Sequence, residues 1–110
     1  MKLLKAIIRP ARIEDVRTAI VDEGVPGLTV TQVRGYGRQK GHPSVYRGHE
    51  YGATLVPKIE VEVVAPDHLV AYEVSAIVNA AQTGAVGDGR VFVLPVERSY
   101  RIRTGEVDPL

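Results

Sequence analysis

The chain has 110 residues, 45% of them hydrophobic and 25% charged, the balance of a single ordinary globular domain and not of a disordered chain. A formal net charge of +1 provides no bulk field for nucleic acid or an anionic membrane, so any anion must be held by locally placed Arg and Lys. The lack of cysteine excludes disulfides, thiol chemistry and thiolate metal sites. It also fits a reducing compartment. The N-terminal apolar run is broken by Lys5 and closed by Arg9 and Pro10, too short for a signal peptide or membrane span, so the expected location is cytoplasmic.

Lys2 to Ile8 is rich in Leu and Ile, stops at a proline and reads as a buried first strand. From Arg12 to Glu23 the residues Ile13, Val16, Ala19 and Ile20 recur at helical spacing, predicting an amphipathic helix closed by Gly24. Leu28 to Val33 alternates as a second strand and Val56 to Val64 as a third, with Pro57 expected to sit outside the regular ladder. Ala65, Pro66 and Asp67 open a second helix, whose inner face is predicted at Leu69, Tyr72, Ala76, Ile77, Ala80 and Ala81, with Gly84 in the place of a C-terminal cap. Arg90 to Val96 is the last strand, and a charged tail follows from 98 to 110.

Strand, helix, strand, strand, helix, strand is the split βαβ order of an α+β ferredoxin-like sandwich. Both helices would cover one sheet face. The other face is then bare and apolar, which predicts a homo-oligomer.

Three groups of residues carry chemistry. Between the second helix and the last strand, Thr83 to Arg90 holds glycines at 84, 87 and 89. Such a loop can aim backbone N–H groups at phosphate oxygens, with Arg90 adding a guanidinium. It lacks the Gly-Lys-Ser/Thr ending of a P-loop, and taken alone it reads first as a tight turn. Arg101 and Arg103, two apart, would point the same way from an extended tail, where their mutual repulsion invites an anion; alone, a solvated tail is the plainer reading. Together, the two groups favour a phosphate site.

The third group is the stretch from Arg34 to Lys58, with five glycines, tyrosines at 36, 46 and 51, and cations at 38, 40 and 47. Loops this long inside a compact domain are usually functional or disordered, and this composition suits a docking arm. Arg34 to Gly37 begins like an RNA-recognition RNP1 motif, but Arg38, Gln39 and Lys40 replace its aromatic continuation. His42, His49 and His68 have no ligand spacing with carboxylates, and no Ser, His and Asp set stands out as a nucleophilic site.

In order along the chain come Gly35-Tyr36-Gly37-Arg38-Gln39-Lys40-Gly41-His42, then Tyr46-Arg47-Gly48 with Glu50-Tyr51, the block Thr83 to Gly89, and Arg101 to Glu106. Over essentially its whole length the chain resembles the PII family of nitrogen-regulatory signal-transduction proteins. The resemblance implies one PII-like domain over 1–110, assembled as a homotrimer, with ATP or ADP in clefts between neighbours and an effector loop, the T-loop, at 36–55. It puts the nucleotide on Thr29, Gly35, Gly37, Arg38, Gln39, Glu62, Val64, Thr83, Gly87, Asp88, Gly89 and Arg90, with Arg101 and Arg103 of the tail coming from the next subunit. It puts 2-oxoglutarate on Gln39, Lys40, Gly41 and Lys58, and gives Gln39 a Mg2+ shared with ATP and 2-oxoglutarate. A dicarboxylate beside a triphosphate does need a divalent cation and a lysine to offset repulsion. Tyr51 matches the tyrosine that is nucleotidylated in many members.

Some positions depart from the family pattern. Arg90 stands where lysine is usual, which keeps charge and changes hydrogen-bond geometry, and Pro43, His49, Gly52, Ala53 and Thr54 alter the loop tip. The expected role is a non-enzymatic sensor whose loop docks on an ammonium transporter, with recruitment to the membrane, or on a nitrogen-metabolism enzyme. The alternative is a PII-like paralogue that senses adenine nucleotides or another small anion and regulates a target outside nitrogen assimilation. No general base accompanies the glycine loop, which leaves ATP hydrolysis as a slow side activity at most.

Overall fold

In a computed structural model, residues 1–22, 25, 27–36, 44–46, 49–51 and 55–108 are described; for 22, 44–46 and 49–51 the description covers backbone alone. The chain forms β1 (Lys2–Ile8), α1 (Ile13–Asp22), β2 (Thr29–Gly35), β3 (Ser44–Tyr46), β4 (His49–Tyr51), β5 (Val56–Ala65), α2 (Val70–Ala81) and β6 (Gly89–Pro95). Short 3-10 turns, Pro10–Arg12 and Asp67–Leu69, lead into the two helices. Proline at the start of the first turn suits a position with no helical acceptor to satisfy.

The main sheet has the order β2-β5-β1-β6, antiparallel throughout, as the split βαβ arrangement requires. Alternation along β1 and β5 sends Leu4, Ala6, Ile8, Ile59, Val61 and Val63 into a core shared with Val16 and Ile20 of α1 and Ile77 and Ala81 of α2. The predicted α+β ferredoxin-like fold is thus the observed one.

On the opposite face the ladder aligns rows across three strands. Leu94, Leu3 and Val64 form one row, Phe92, Lys5 and Glu62 the next, and Arg90, Ile7 and Glu60 a third. Lys5 Nζ lies 3.2 Å from Glu60 Oε1. Val64, Phe92 and Leu94 are left exposed.

The structure revises several local expectations. Tyr72 is exposed and Glu73 holds the buried position on α2, because the helix starts its periodicity at Val70. The C-cap of α2 is Gln82, extended, whose N–H donates to Val78 O; Gly84, with φ +88°, belongs to the following loop. Pro57 lies inside β5, opposite Arg34 of β2. It is tolerated there because β1 ends at Ile8, opposite Ile59, so no second neighbour demands its missing donor. The long stretch before β5 contains a ladder of its own, Ser44 to Tyr46 against His49 to Tyr51. Gly24 lies outside the described residues.

Candidate functional site

The antiparallel register of β1 and β6 pairs Ile8 with Gly89, so the glycine loop at 83–88 arrives beside the end of β1. Gly87 and Gly89 have φ of +101° and +105°, backbone open to glycine and strained for other residues. A Cβ at Gly89 would also overlap the Ile7 carbonyl oxygen. These glycines are therefore fixed by the fold itself.

Asp88 closes the loop on itself. Its Oδ2 accepts the N–H groups of Thr83 and Gly84, each at 2.8 Å, and its Oδ1 accepts the Thr83 hydroxyl and, at 3.0 Å, Arg9 Nε. The hydroxyl and backbone N–H of Thr83, then the Arg9 and Gly84 donors, hold the Asp88 carboxyl well below the usual carboxylate range. Its lone pairs are committed to the loop.

Two cations hold the loop from the sheet side. Arg9 donates to Val86 O at 2.8 Å, and Lys58 Nζ donates to Gly87 O at 2.7 Å. The Lys58 side chain runs under Gly35, where an added Cβ would meet its Cγ. Burial first, and then the nearby charge of Arg9, push the Lys58 ammonium below its ordinary pKa, while Asp88 opposes the shift.

Gly35, Lys58 and the loop residues 87–90 line an open cleft of about 630 Å3 with Ile7, Tyr36, Val56, Val86 and Phe92 as its apolar walls. The structure therefore brings together Gly35, Lys58, Gly87, Asp88, Gly89 and Arg90 of the predicted set. Thr83 joins them through Asp88. Thr29, Glu62 and Val64 line a different cleft, of about 510 Å3, with Leu3, Gly27 and Leu28. The two clefts share no lining residue and lie toward opposite ends of β5.

Arg101 and Arg103 are also elsewhere. β6 leads away from the glycine loop for seven residues, about 20 Å, before the tail begins. The tail is not extended, as the two-residue spacing predicted, but folded: Arg101 N–H donates to Glu106 O, Gly105 N–H donates to Arg101 O, and Gly105 takes φ +74° to close the turn. Asp108 accepts Arg101 Nε at 2.6 Å and the Ser99 hydroxyl at 2.7 Å. Gly37, Arg38, Gln39, Lys40 and Gly41 lie outside the described residues, and for Tyr51 the backbone alone is described, in β4.

Sequence reading missed Arg9 and the apolar walls. Arg9 could have been found: it is a cation held between a strand end and Pro10, which restricts its backbone to extended conformations. Once the first strand and the last strand of the main sheet are paired, it falls opposite Asp88. Among the described residues there is no cluster of His, Cys, Asp or Glu that could hold a metal ion, and no helix long and apolar enough to cross a membrane.

The family described as nitrogen regulatory protein P-II matches residues 1–106. The P-II protein of Haemophilus influenzae is 53% identical over 106 residues, 96% of this chain and 95% of the relative. Nitrogen regulatory protein P-II 1 of Escherichia coli K12 is 51% identical over 108 residues, 98% and 96% of the two chains. Nitrogen regulatory protein P-II of Pasteurella multocida is 52% identical over 106 residues, 96% and 95% of the two chains. A match of this extent, together with the ferredoxin-like fold, decides the family: the chain belongs to the nitrogen regulatory P-II proteins.

Proposed function

We propose that the protein is a nitrogen-status sensor that binds ATP or ADP and 2-oxoglutarate and regulates a transporter or metabolic enzyme through its 36–55 loop. The observation that carries this reading is the cleft in which a closed glycine loop, Arg90 and the partly desolvated ammonium of Lys58 face one space. A loop whose glycines take positive φ can present backbone donors to phosphate oxygens, and a lysine with its stem buried offers a fixed point charge to a carboxylate.

The reading requires an assembly. The second cleft, with Thr29, Glu62 and Val64, lies toward the other end of β5, and the tail arginines follow the far end of β6; none of these residues lines the first cleft of the same chain. A neighbouring copy would supply them, and a homotrimer seated on the bare sheet face is the arrangement we infer. In it Thr29, Glu62 and Val64 take the adenine and ribose, Gly87, Gly89 and Arg90 the phosphates, and Arg101 and Arg103 reach across from the next subunit.

Asp88, with its oxygens committed to Thr83, Gly84 and Arg9, is unsuited to ligate a cation. This fits a Mg2+ held by Gln39 and by ligand oxygens. When bound, the ion offsets the repulsion between a triphosphate and a dicarboxylate. Gln39, Lys40, Gly41 and Lys58 would hold 2-oxoglutarate. As a regulator, the protein would act through ligands that bias the populations of its loop.

Isothermal titration tests the reading. 2-Oxoglutarate should bind when MgATP is present, and binding should fall more than about tenfold in Lys58→Ala and in Gln39→Ala, the loss of a charge-assisted contact. Unchanged binding in both variants removes 2-oxoglutarate from the site. Nucleotide binding with no response to 2-oxoglutarate would instead support a sensor of nucleotide alone.

A further inference from the structure

Arg9 lies outside every ligand-contacting position considered so far, yet it makes the longest-range connection of the cleft, joining the end of β1 to the loop 79 residues later. Its guanidinium is used as a fork. Nε donates to Asp88 Oδ1 at 3.0 Å and a terminal nitrogen donates to Val86 O at 2.8 Å, so one planar group ties together a side chain and a carbonyl two residues apart. The side chains of Arg9 and Asp88 are 30% and 22% exposed, sheltered enough for a charge-assisted bond to hold its geometry.

An anion-binding loop must turn its carbonyl oxygens away from the anion while its N–H groups face it. In this loop the oxygens at 86 and 87 are the ones held, by Arg9 and by Lys58. Lys58 is also a ligand group in the proposed function, free to exchange partners when a carboxylate arrives. Arg9 is not in that position. Pro10 limits its backbone, the Ile8 to Gly89 register fixes its height, and Asp88 takes its Nε.

We propose that Arg9 is a positioning residue of the nucleotide site: it holds the 83–88 loop in the shape that receives phosphate, through Asp88 and the Val86 carbonyl, without touching the ligand. The proposal rests on the nucleotide reading of the cleft.

The test uses the full chain. MgATP binding is measured by isothermal titration for wild type, Arg9→Met and Arg9→Lys, and amide hydrogen exchange over 83–89 is measured without nucleotide. Arg9→Met should weaken MgATP about 5- to 30-fold and raise loop exchange, while Arg9→Lys, which keeps one cationic donor but cannot fork to both acceptors, should recover only part of the affinity. If Arg9→Met fails to fold, Arg9→Gln carries the same expectation. Affinity within twofold of wild type in the uncharged variant, unchanged exchange, or a lysine variant no better than methionine would overturn the positioning role while leaving the nucleotide site standing. A wild-type chain that binds no MgATP would overturn the nucleotide reading itself, and the positioning role with it.

Discussion

At the residue scale the site is decided by a few positions where backbone geometry admits one choice. Gly89 is the sharpest case, because its φ of +105° and the Ile7 carbonyl behind it leave no room for a side chain. Gly89→Ala should therefore destabilise the chain by about 3 kcal/mol or more, read as a lower midpoint in denaturant with an unchanged slope. Gly84 makes the contrast. It shares a positive φ of +88° but has open space around it, so Gly84→Ala should cost only the backbone strain, about 1 kcal/mol. The sequence marks all the glycines of this block alike. Which of them is sterically irreplaceable depends on the pairing of β1 with β6, a long-range fact that local composition does not carry. Arg9, whose partner is 79 residues away, comes into view only once that pairing is laid out.

At the scale of elements, periodicity was enough for the parts that bury a stripe or a face. β1 was read with its observed limits, and the apolar repeat of Ile13, Val16, Ala19 and Ile20 is the observed inner face of α1, with Val16 and Ile20 buried. Short elements were not legible. β3 and β4 have three residues each, too few for alternation to stand out, and the tail turn depends on one glycine, Gly105. The 83–88 loop is an element of another kind, closed by the carboxylate of Asp88, and this has a consequence in acid. The folded-state pKa of Asp88 lies below the 3.8 of an unperturbed aspartate, so the stability it contributes is complete above that value and is lost as pH falls toward the folded-state pKa. Thermal unfolding followed from pH 7 to pH 2 should show wild type more stable than Asp88→Asn at neutral pH, with the gap closing below about pH 4. A gap independent of pH would mean that the carboxylate charge does not hold the loop.

At the scale of the whole molecule, the sheet has one face covered by α1 and α2 and a second face that carries the row Leu94, Leu3 and Val64 beside Phe92. The order of elements already implied this two-faced sheet. What the order does not give is the placement of the proposed ligand groups along it, since Thr29, Glu62 and Val64 lie near one end of β5 and Lys58 near the other. In the proposed function one ligand's contacts are distributed over these separated clefts, which requires an assembly, so oligomerisation and binding should fail together. Val64 and Leu94 are 42% and 38% exposed in the single chain, and neither belongs to the core. Replacing Leu94 with Glu would place a carboxylate in an apolar contact between copies, a cost of several kcal/mol if it is desolvated there. Sedimentation should then show wild type as a trimer and Leu94→Glu as a monomer with near-native circular dichroism. MgATP binding should be lost in the same variant although Leu94 lines neither ligand cleft. A monomeric Leu94→Glu that still binds MgATP at wild-type affinity would place the whole nucleotide site within one chain.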